Sequence, residues 1–138
     1  MFNGQQQRYP VLWSFRRCPY AMRARLAINA SRCRVHLREI WLREKPKEFV
    51  SASPKATVPV LVQPDGHVID ESRDIMIWAL QQSDPRGWLR LWQDDPVFCD
   101  AFLDRLDGPF KQQLDRYKYA SRFEPSIGQQ SRQDACVF

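Results

Sequence analysis

The 138-residue sequence has no long hydrophobic run. No apolar stretch approaches the roughly 20 residues that a transmembrane helix needs, so we expect no membrane partner. Residues 1–8 are polar and rich in glutamine, without the apolar segment of a secretory signal peptide. Together these two absences lead us to expect a cytoplasmic protein.

Metal-ligating side chains are also scarce. The sequence has four cysteines and two histidines, and none are paired at the close spacing of a zinc site. A disulfide framework is unexpected too, because such frameworks belong to secreted proteins. The cysteines are Cys18, Cys33, Cys99 and Cys136. We therefore predict no metal site, and each cysteine is interpreted singly.

The composition is that of a globular chain, with 43% apolar and 27% charged residues. The net charge of +5 is uneven: residues 8–83 carry 13 Lys and Arg against 7 Asp and Glu, whereas residues 84–138 carry 8 against 9. A basic half can bind nucleic acid or a small anion. No aromatic-interleaved basic stripe accompanies it, so we expect no nucleic-acid partner.

The first part of the chain alternates between strand and helix patterns, which indicates an α/β fold. A strand–helix–strand unit implies parallel strands, and the Pro-Asp-Gly turn at 64–66 implies an antiparallel hairpin. In the first helix, Met22, Leu26 and Ala27 lie at helical spacing. Residues 70–72 are predicted to cap the third helix. The predicted strands are 9–15, 35–41, 58–62 and 68–69, and the predicted helices are 19–31, 46–53 and 72–82.

The character of the sequence changes after a linker pattern at 84–87. Residues 96–106 and 109–119 predict two amphipathic helices, no strand pattern follows, and residues 124–138 show no firm period. We therefore divide the chain into an α/β domain, 8–83, and a partial all-α segment, 84–138. Two helices alone bury little core.

One cysteine stands where a strand meets a helix. Cys18 precedes Pro19, a residue favoured in the first helical turn, and Arg16, Arg17 and Arg23 lie nearby. The helix dipole and free N–H groups stabilise a thiolate at that position, and the thiolate is the nucleophile of thiol chemistry. Cys18 is therefore the candidate catalytic residue.

Three short motifs together resemble those of one protein family. Cys-Pro-Tyr-Ala at 18–21, Thr-Val-Pro-Val-Leu at 57–61 and Asp-Glu-Ser at 70–72 occur in the order of the N-terminal domain of glutathione S-transferases. The cysteine resembles the omega-like, glutaredoxin-like branch. The resemblance implies a thioredoxin-like, mixed four-stranded sheet with flanking helices, followed by a truncated all-α segment.

The resemblance also implies roles for individual residues, with glutathione as co-substrate. Cys18 would form a mixed disulfide with glutathione. Val58, before a cis Pro59, would offer its backbone N–H and C=O to the cysteinyl part of glutathione. Glu71 and Ser72 would hold the γ-glutamyl end, where a carboxylate accepts from the ammonium and a hydroxyl meets the carboxylate.

One further residue matches the family pattern, and two features depart from it. Lys45 matches a lysine that the omega-like branch places near the glycyl carboxylate. Ala21 stands where dithiol glutaredoxins have a second cysteine, and Cys33 follows a helix of roughly 20 Å, so a second glutathione must release the mixed disulfide. The helical part is much shorter than in the family, which implies an incomplete pocket for the second substrate.

These site residues also have structural interpretations. Ser14 is an alternative nucleophile as in serine-type members, but an alcohol is far weaker than a thiolate, which favours a structural role. The remaining alternatives are Cys18 as an inert buried thiol, Lys45 as solvated surface, Pro59 as an edge-strand proline, and Glu71 with Ser72 as a simple helix cap.

The sequence therefore predicts a glutathione-dependent thiol transferase acting on an electrophilic or disulfide small molecule. We expect a homodimer, either of the ordinary kind or with segments swapped between the two copies. The alternative is a non-catalytic protein-binding module with the same fold.

Overall fold

The computed structural model describes residues 8–122 and 125–137. They form two compact units that divide between Leu89 and Arg90. Residues 84–89, which include the predicted linker, are grouped with the first unit. None of the helices in the described ranges has the length and apolar character to span a membrane.

The first unit is a mixed four-stranded sheet with helices on both faces, as predicted. The strand order is β2-β1-β3-β4, with β1 parallel to β2 and antiparallel to β3. Strand β4 pairs antiparallel with β3 across the predicted turn at 64–66, where Gly66 has φ of 88°. The elements are β1 Val11–Ser14, α1 Pro19–Ser31, β2 His36–Glu39, α2 Lys47–Ala52, β3 Val60–Val62, β4 Val68–Ile69 and α3 Ser72–Gln82.

Strand β1 runs through the core and is buried along its whole length. Leu12 packs with Ala24 and Ile28 of α1 and Ile75 of α3. Its neighbours face the other side, where a second cluster contains Val11, Trp13, Ile40, Phe49 and Val60. A strand covered on both faces has a continuous apolar sequence, which is why Val-Leu-Trp shows no polar alternation.

Helix α1 buries small residues instead of its large ones. Met22 and Leu26 are 43% and 60% exposed, whereas Ala24 and Ala27 are buried. Of the three residues at helical spacing, only Ala27 is therefore buried, and Met22 and Leu26 lie on an exposed face. Alanines let the helix backbone approach its neighbours closely, and α1 packs extensively on α3.

A tight turn before β3 holds one residue in a left-handed conformation. Ala56 has φ of 50°, and its N–H donates to the carbonyl of Ser53 at 2.9 Å. A Cβ costs roughly 1–2 kcal/mol in this region, and glycine avoids that cost while losing more entropy on folding.

Ala56→Gly is therefore expected to stabilise the chain by about 1 kcal/mol. Urea unfolding checks this, because the midpoint should rise with an unchanged slope. Ala52→Gly is the matched control, since Ala52 lies in α2 and glycine weakens a helix. A lower midpoint for Ala56→Gly than for the wild-type chain would contradict the strain argument.

The second unit is all helical in its described residues. Asp95 caps α5 by accepting from the N–H of Phe98 at 2.9 Å. Pro109, which lacks an N–H, lies in a π-helical segment, Leu106–Phe110, that joins α5 to α6. The helices are α4 Arg90–Asp94, α5 Pro96–Arg105, α6 Lys111–Lys118 and α7 Pro125–Cys136, with a 3-10 turn at Ala120–Arg122.

Helix α7 lies in the segment predicted to be all-α, although residues 124–138 show no firm helical period in the sequence. It packs against α6, and it buries Ser131, while the position of Gly128 lies so close to Ala120 that an added Cβ would meet that side chain at 3.2 Å. Because small residues make this contact, no large apolar side chains repeat at helical spacing. That explains why the pattern showed no firm period.

Candidate functional site

Cys18 lies immediately before α1, as predicted. Its backbone is extended, Pro19 opens the helix, and the Cys18 carbonyl accepts the first-turn hydrogen bond from Met22 N–H at 2.9 Å. The Cys18 N–H donates to the Phe15 carbonyl at 3.1 Å, and the side chain is half-buried. The thiol therefore stands at the positive end of the helix dipole and is open to a ligand.

A half-buried arginine fork holds the loop that carries Cys18. The Arg25 guanidinium donates to Ser14 Oγ at 2.6 Å, to the Phe15 carbonyl at 3.3 Å and to the Arg16 carbonyl at 3.2 Å. The Arg16 N–H donates to Glu39 Oε1 at 2.6 Å. Ser14 is fully buried and accepts from Arg25, which supports its structural role over that of a nucleophile.

The second predicted motif lies against the cysteine. The Val58–Pro59 peptide bond is cis, as expected, and the Cys18 thiol lies 3.6 Å from the Val58 carbonyl oxygen. Val58 is half-buried and Pro59 is buried directly before β3. The structure therefore brings Cys18 and Val58 together across 40 residues of sequence.

The third motif begins α3 and is tied to α1. Ser72 is buried, and its Oγ accepts from Arg23 Nε at 3.0 Å. Arg23 also lies over the Tyr20 ring, with the guanidinium carbon 5.0 Å from the ring centroid. Glu71 is the N-cap residue of α3, so the motif stands at the helix start as predicted, but the Glu71 side chain makes no capping hydrogen bond.

Glu71 and Asp70 bind a lysine that sequence reasoning missed. Lys55 Nζ lies 2.5 Å from Glu71 Oε1 and 3.6 Å from Asp70 Oδ1, and Asp70 Oδ2 accepts from Ser53 Oγ at 3.2 Å. The hydrogen bond with Glu71 raises the pKa of Lys55 above its ordinary value. Only the hairpin of β3 and β4 brings these residues together, so no local sequence signal indicates the pair.

Lys45 is the candidate residue that the structure, in the ranges it describes, does not connect to the others. It is exposed directly before Pro46, the residue that precedes α2. Within 8–122 and 125–137, it forms no hydrogen bond or ion pair with the other candidate residues. Its place near a glycyl carboxylate remains a prediction.

Comparisons with known proteins agree with the fold of the first unit. A family model described as "Glutathione S-transferase, N-terminal domain" matches residues 12–87. The chain is 39% identical over 108 residues to glutathione S-transferase omega-1 of Sus scrofa, covering 77% of this chain and 44% of that protein. It is 42% identical over 92 residues to a probable glutathione transferase of Aplysia californica, covering 67% of this chain and 89% of that protein.

Solved structures share the same architecture. A glutathione transferase homologue from Sulfitobacter with bound glutathione aligns with a TM-score of 0.72 and 11% identity, covering 94% of this chain and 66% of that chain. Glutathione transferase Omega 3C from Trametes versicolor aligns with a TM-score of 0.69 and 21% identity, covering 91% and 57%. These identities show the fold alone.

The family model matches the first unit, but the chain is much shorter than its omega-1 relatives. The chain spans 34% of the length of the omega-1 protein of Rattus norvegicus and 44% of that of Sus scrofa. The matched family model nevertheless covers more than half of the chain, from β1 through α3. The chain belongs to the glutathione S-transferase family.

Proposed function

We propose that this chain binds glutathione and catalyses glutathione-dependent thiol–disulfide exchange through Cys18. The observation that carries the proposal is the contact between the Cys18 thiol and the Val58 carbonyl, 3.6 Å apart, beside the cis Pro59. A peptide laid along residue 58 as an added strand would place its own cysteinyl sulfur near Cys18. The Sulfitobacter homologue, whose fold is similar, was solved with bound glutathione.

The chemistry is thiol–disulfide exchange. The Cys18 thiolate attacks the glutathione sulfur of a glutathionylated substrate, the substrate–glutathione S–S bond breaks, and the substrate thiolate leaves and takes a proton. A second glutathione thiolate then attacks the glutathione sulfur bound to Cys18. Glutathione disulfide departs and the Cys18 thiolate returns, so the two electrons come from reduced glutathione.

The remaining site residues bind the ends of glutathione in this proposal. Glu71 accepts from the γ-glutamyl ammonium, and the Ser72 hydroxyl donates to its carboxylate while still accepting from Arg23. Lys45 pairs with the glycyl carboxylate. The homodimer, its swapped variant and the cytoplasmic location stay predictions from the sequence.

The full chain is expected to bind immobilised glutathione and to elute with free glutathione. Glu71→Gln removes the charge that meets the ligand ammonium and is expected to weaken retention, so that the chain elutes at a lower concentration of free glutathione. Glu48→Gln, on α2, matches the charge change and should be retained like the wild-type chain. A chain that passes through the column but binds heparin in a salt-dependent manner would contradict the proposal and favour nucleic acid. Retention without turnover of a glutathionylated peptide would favour the non-catalytic binding module.

A further inference from the structure

The Lys55 side chain lies inside the group of charges proposed to hold the γ-glutamyl end of glutathione. Its ammonium contacts Glu71 Oε1 and lies within ion-pair distance of Asp70. Glu71 was expected to receive the ligand ammonium, but its carboxylate already has a cation beside it. Lys55 therefore either competes with the ligand ammonium for Glu71 or itself contacts the ligand, and the local charge balance determines which.

The charge balance leaves room for one more cation. Asp70, Glu71 and Lys55 together carry one net negative charge, so a ligand ammonium can join the cluster without expelling Lys55. A lysine ammonium has three N–H donors, and Glu71 takes one of them at hydrogen-bond distance. Lys55 and Glu71 are 52% and 62% exposed, so the remaining donors are open to a ligand.

The turn at 53–56 fixes where Lys55 points. The Ala56 N–H donates to the Ser53 carbonyl, and Ser53 Oγ donates to Asp70. Ser53 is buried and its N–H donates to the Phe49 carbonyl of α2. The turn is therefore anchored at one end to α2 and at the other to the residues before α3, which limits the positions that the Lys55 stem can reach.

We infer that Lys55 is a specificity residue that binds the α-carboxylate of the γ-glutamyl end while Glu71 binds its ammonium. This inference rests on the proposed function and adds a full positive charge to the recognition of that carboxylate. The adjacent side chains of Lys55 and Glu71 complement the carboxylate and the ammonium of a free α-amino acid group. The pair therefore selects γ-glutamyl thiols over thiols whose α-carboxylate is blocked.

Calorimetry with two unreactive probes tests this assignment in the full chain. One probe is S-methylglutathione, and the other is its derivative with the γ-glutamyl α-carboxylate converted to a carboxamide. The wild-type chain is expected to bind the carboxamide about fivefold more weakly, which is the size of an exposed charge pair. Lys55→Met is expected to bind S-methylglutathione about fivefold more weakly and to lose most of the preference for it over the carboxamide, because only the Ser72 hydroxyl then meets the carboxylate.

Two further variants complete the design. Lys55→Arg keeps the charge and should keep the preference, and Lys47→Met, on the exposed start of α2, controls for the change in net charge. A Lys55→Met chain that discriminates as the wild type does, or binds S-methylglutathione more tightly, would overturn the inference alone. Absence of binding of either probe to the wild-type chain would overturn the proposed function itself.

Discussion

The Cys18→Ser variant is expected to lose glutathione transfer altogether. The serine hydroxyl is protonated at neutral pH and is a far weaker nucleophile than a thiolate at a helix start. With a glutathionylated peptide and reduced glutathione, the rate should fall more than about a thousandfold, to the uncatalysed level. Retention on immobilised glutathione should persist, because the backbone of Val58 and the charges of Glu71 and Lys55 remain.

Cys33→Ser is the matched control for that experiment. Cys33 follows α1 at its far end, and its thiol lies 3.8 Å from the Ala79 carbonyl, within the first unit. Its replacement should leave the transfer rate unchanged. Loss of transfer in Cys33→Ser, or a normal rate in Cys18→Ser, would contradict the assignment of the nucleophile.

Arg25→Met is expected to destabilise the fold and to slow the chemistry of Cys18 together. The substitution removes three hydrogen bonds and leaves the buried Ser14 hydroxyl without its donor. An unsatisfied buried polar group costs roughly 1–3 kcal/mol, so we expect a loss of about 3 kcal/mol in the free energy of unfolding. The loop at 15–18 then loses its brace, and modification of Cys18 should slow about tenfold.

Two comparisons separate a specific brace from general damage. Arg34→Met, at an exposed position after α1, should change the free energy of unfolding by less than about 0.5 kcal/mol. Adding Ser14→Ala to Arg25→Met should recover part of the stability, because the orphaned hydroxyl is removed with its partner. An Arg25→Met chain with wild-type stability and wild-type Cys18 reactivity would show that the fork does not position the loop.

The first unit was predictable where the signals are local. The turn at 64–66 and the Cys18–Pro19 helix start each depend on a few neighbouring residues, and the structure contains both. The four-stranded mixed sheet followed from the order of these elements. Spacing alone did not identify which face of α1 is buried, because Ala24 and Ala27, and not Met22 and Leu26, meet the core.

The parts that escaped prediction depend on long-range contacts or on small residues. The Lys55–Glu71 pair joins residues 16 apart, and its existence depends on the turn at 53–56 and the hairpin after it. Residues 70–72 look like a helix cap, but tertiary partners take the side chains of Asp70, Glu71 and Ser72. Helix α7 packs through Gly128 and Ser131, whose small side chains leave no hydrophobic period.

The most direct test of the central claim is a peptide map of the full chain after brief exposure to oxidised glutathione at a pH of about 6, where an ordinary thiol is largely protonated and slow. We predict a single glutathione adduct on Cys18, with Cys33, Cys99 and Cys136 unmodified. Equal modification of all four cysteines, or none at Cys18, would contradict a thiol transferase that acts through Cys18.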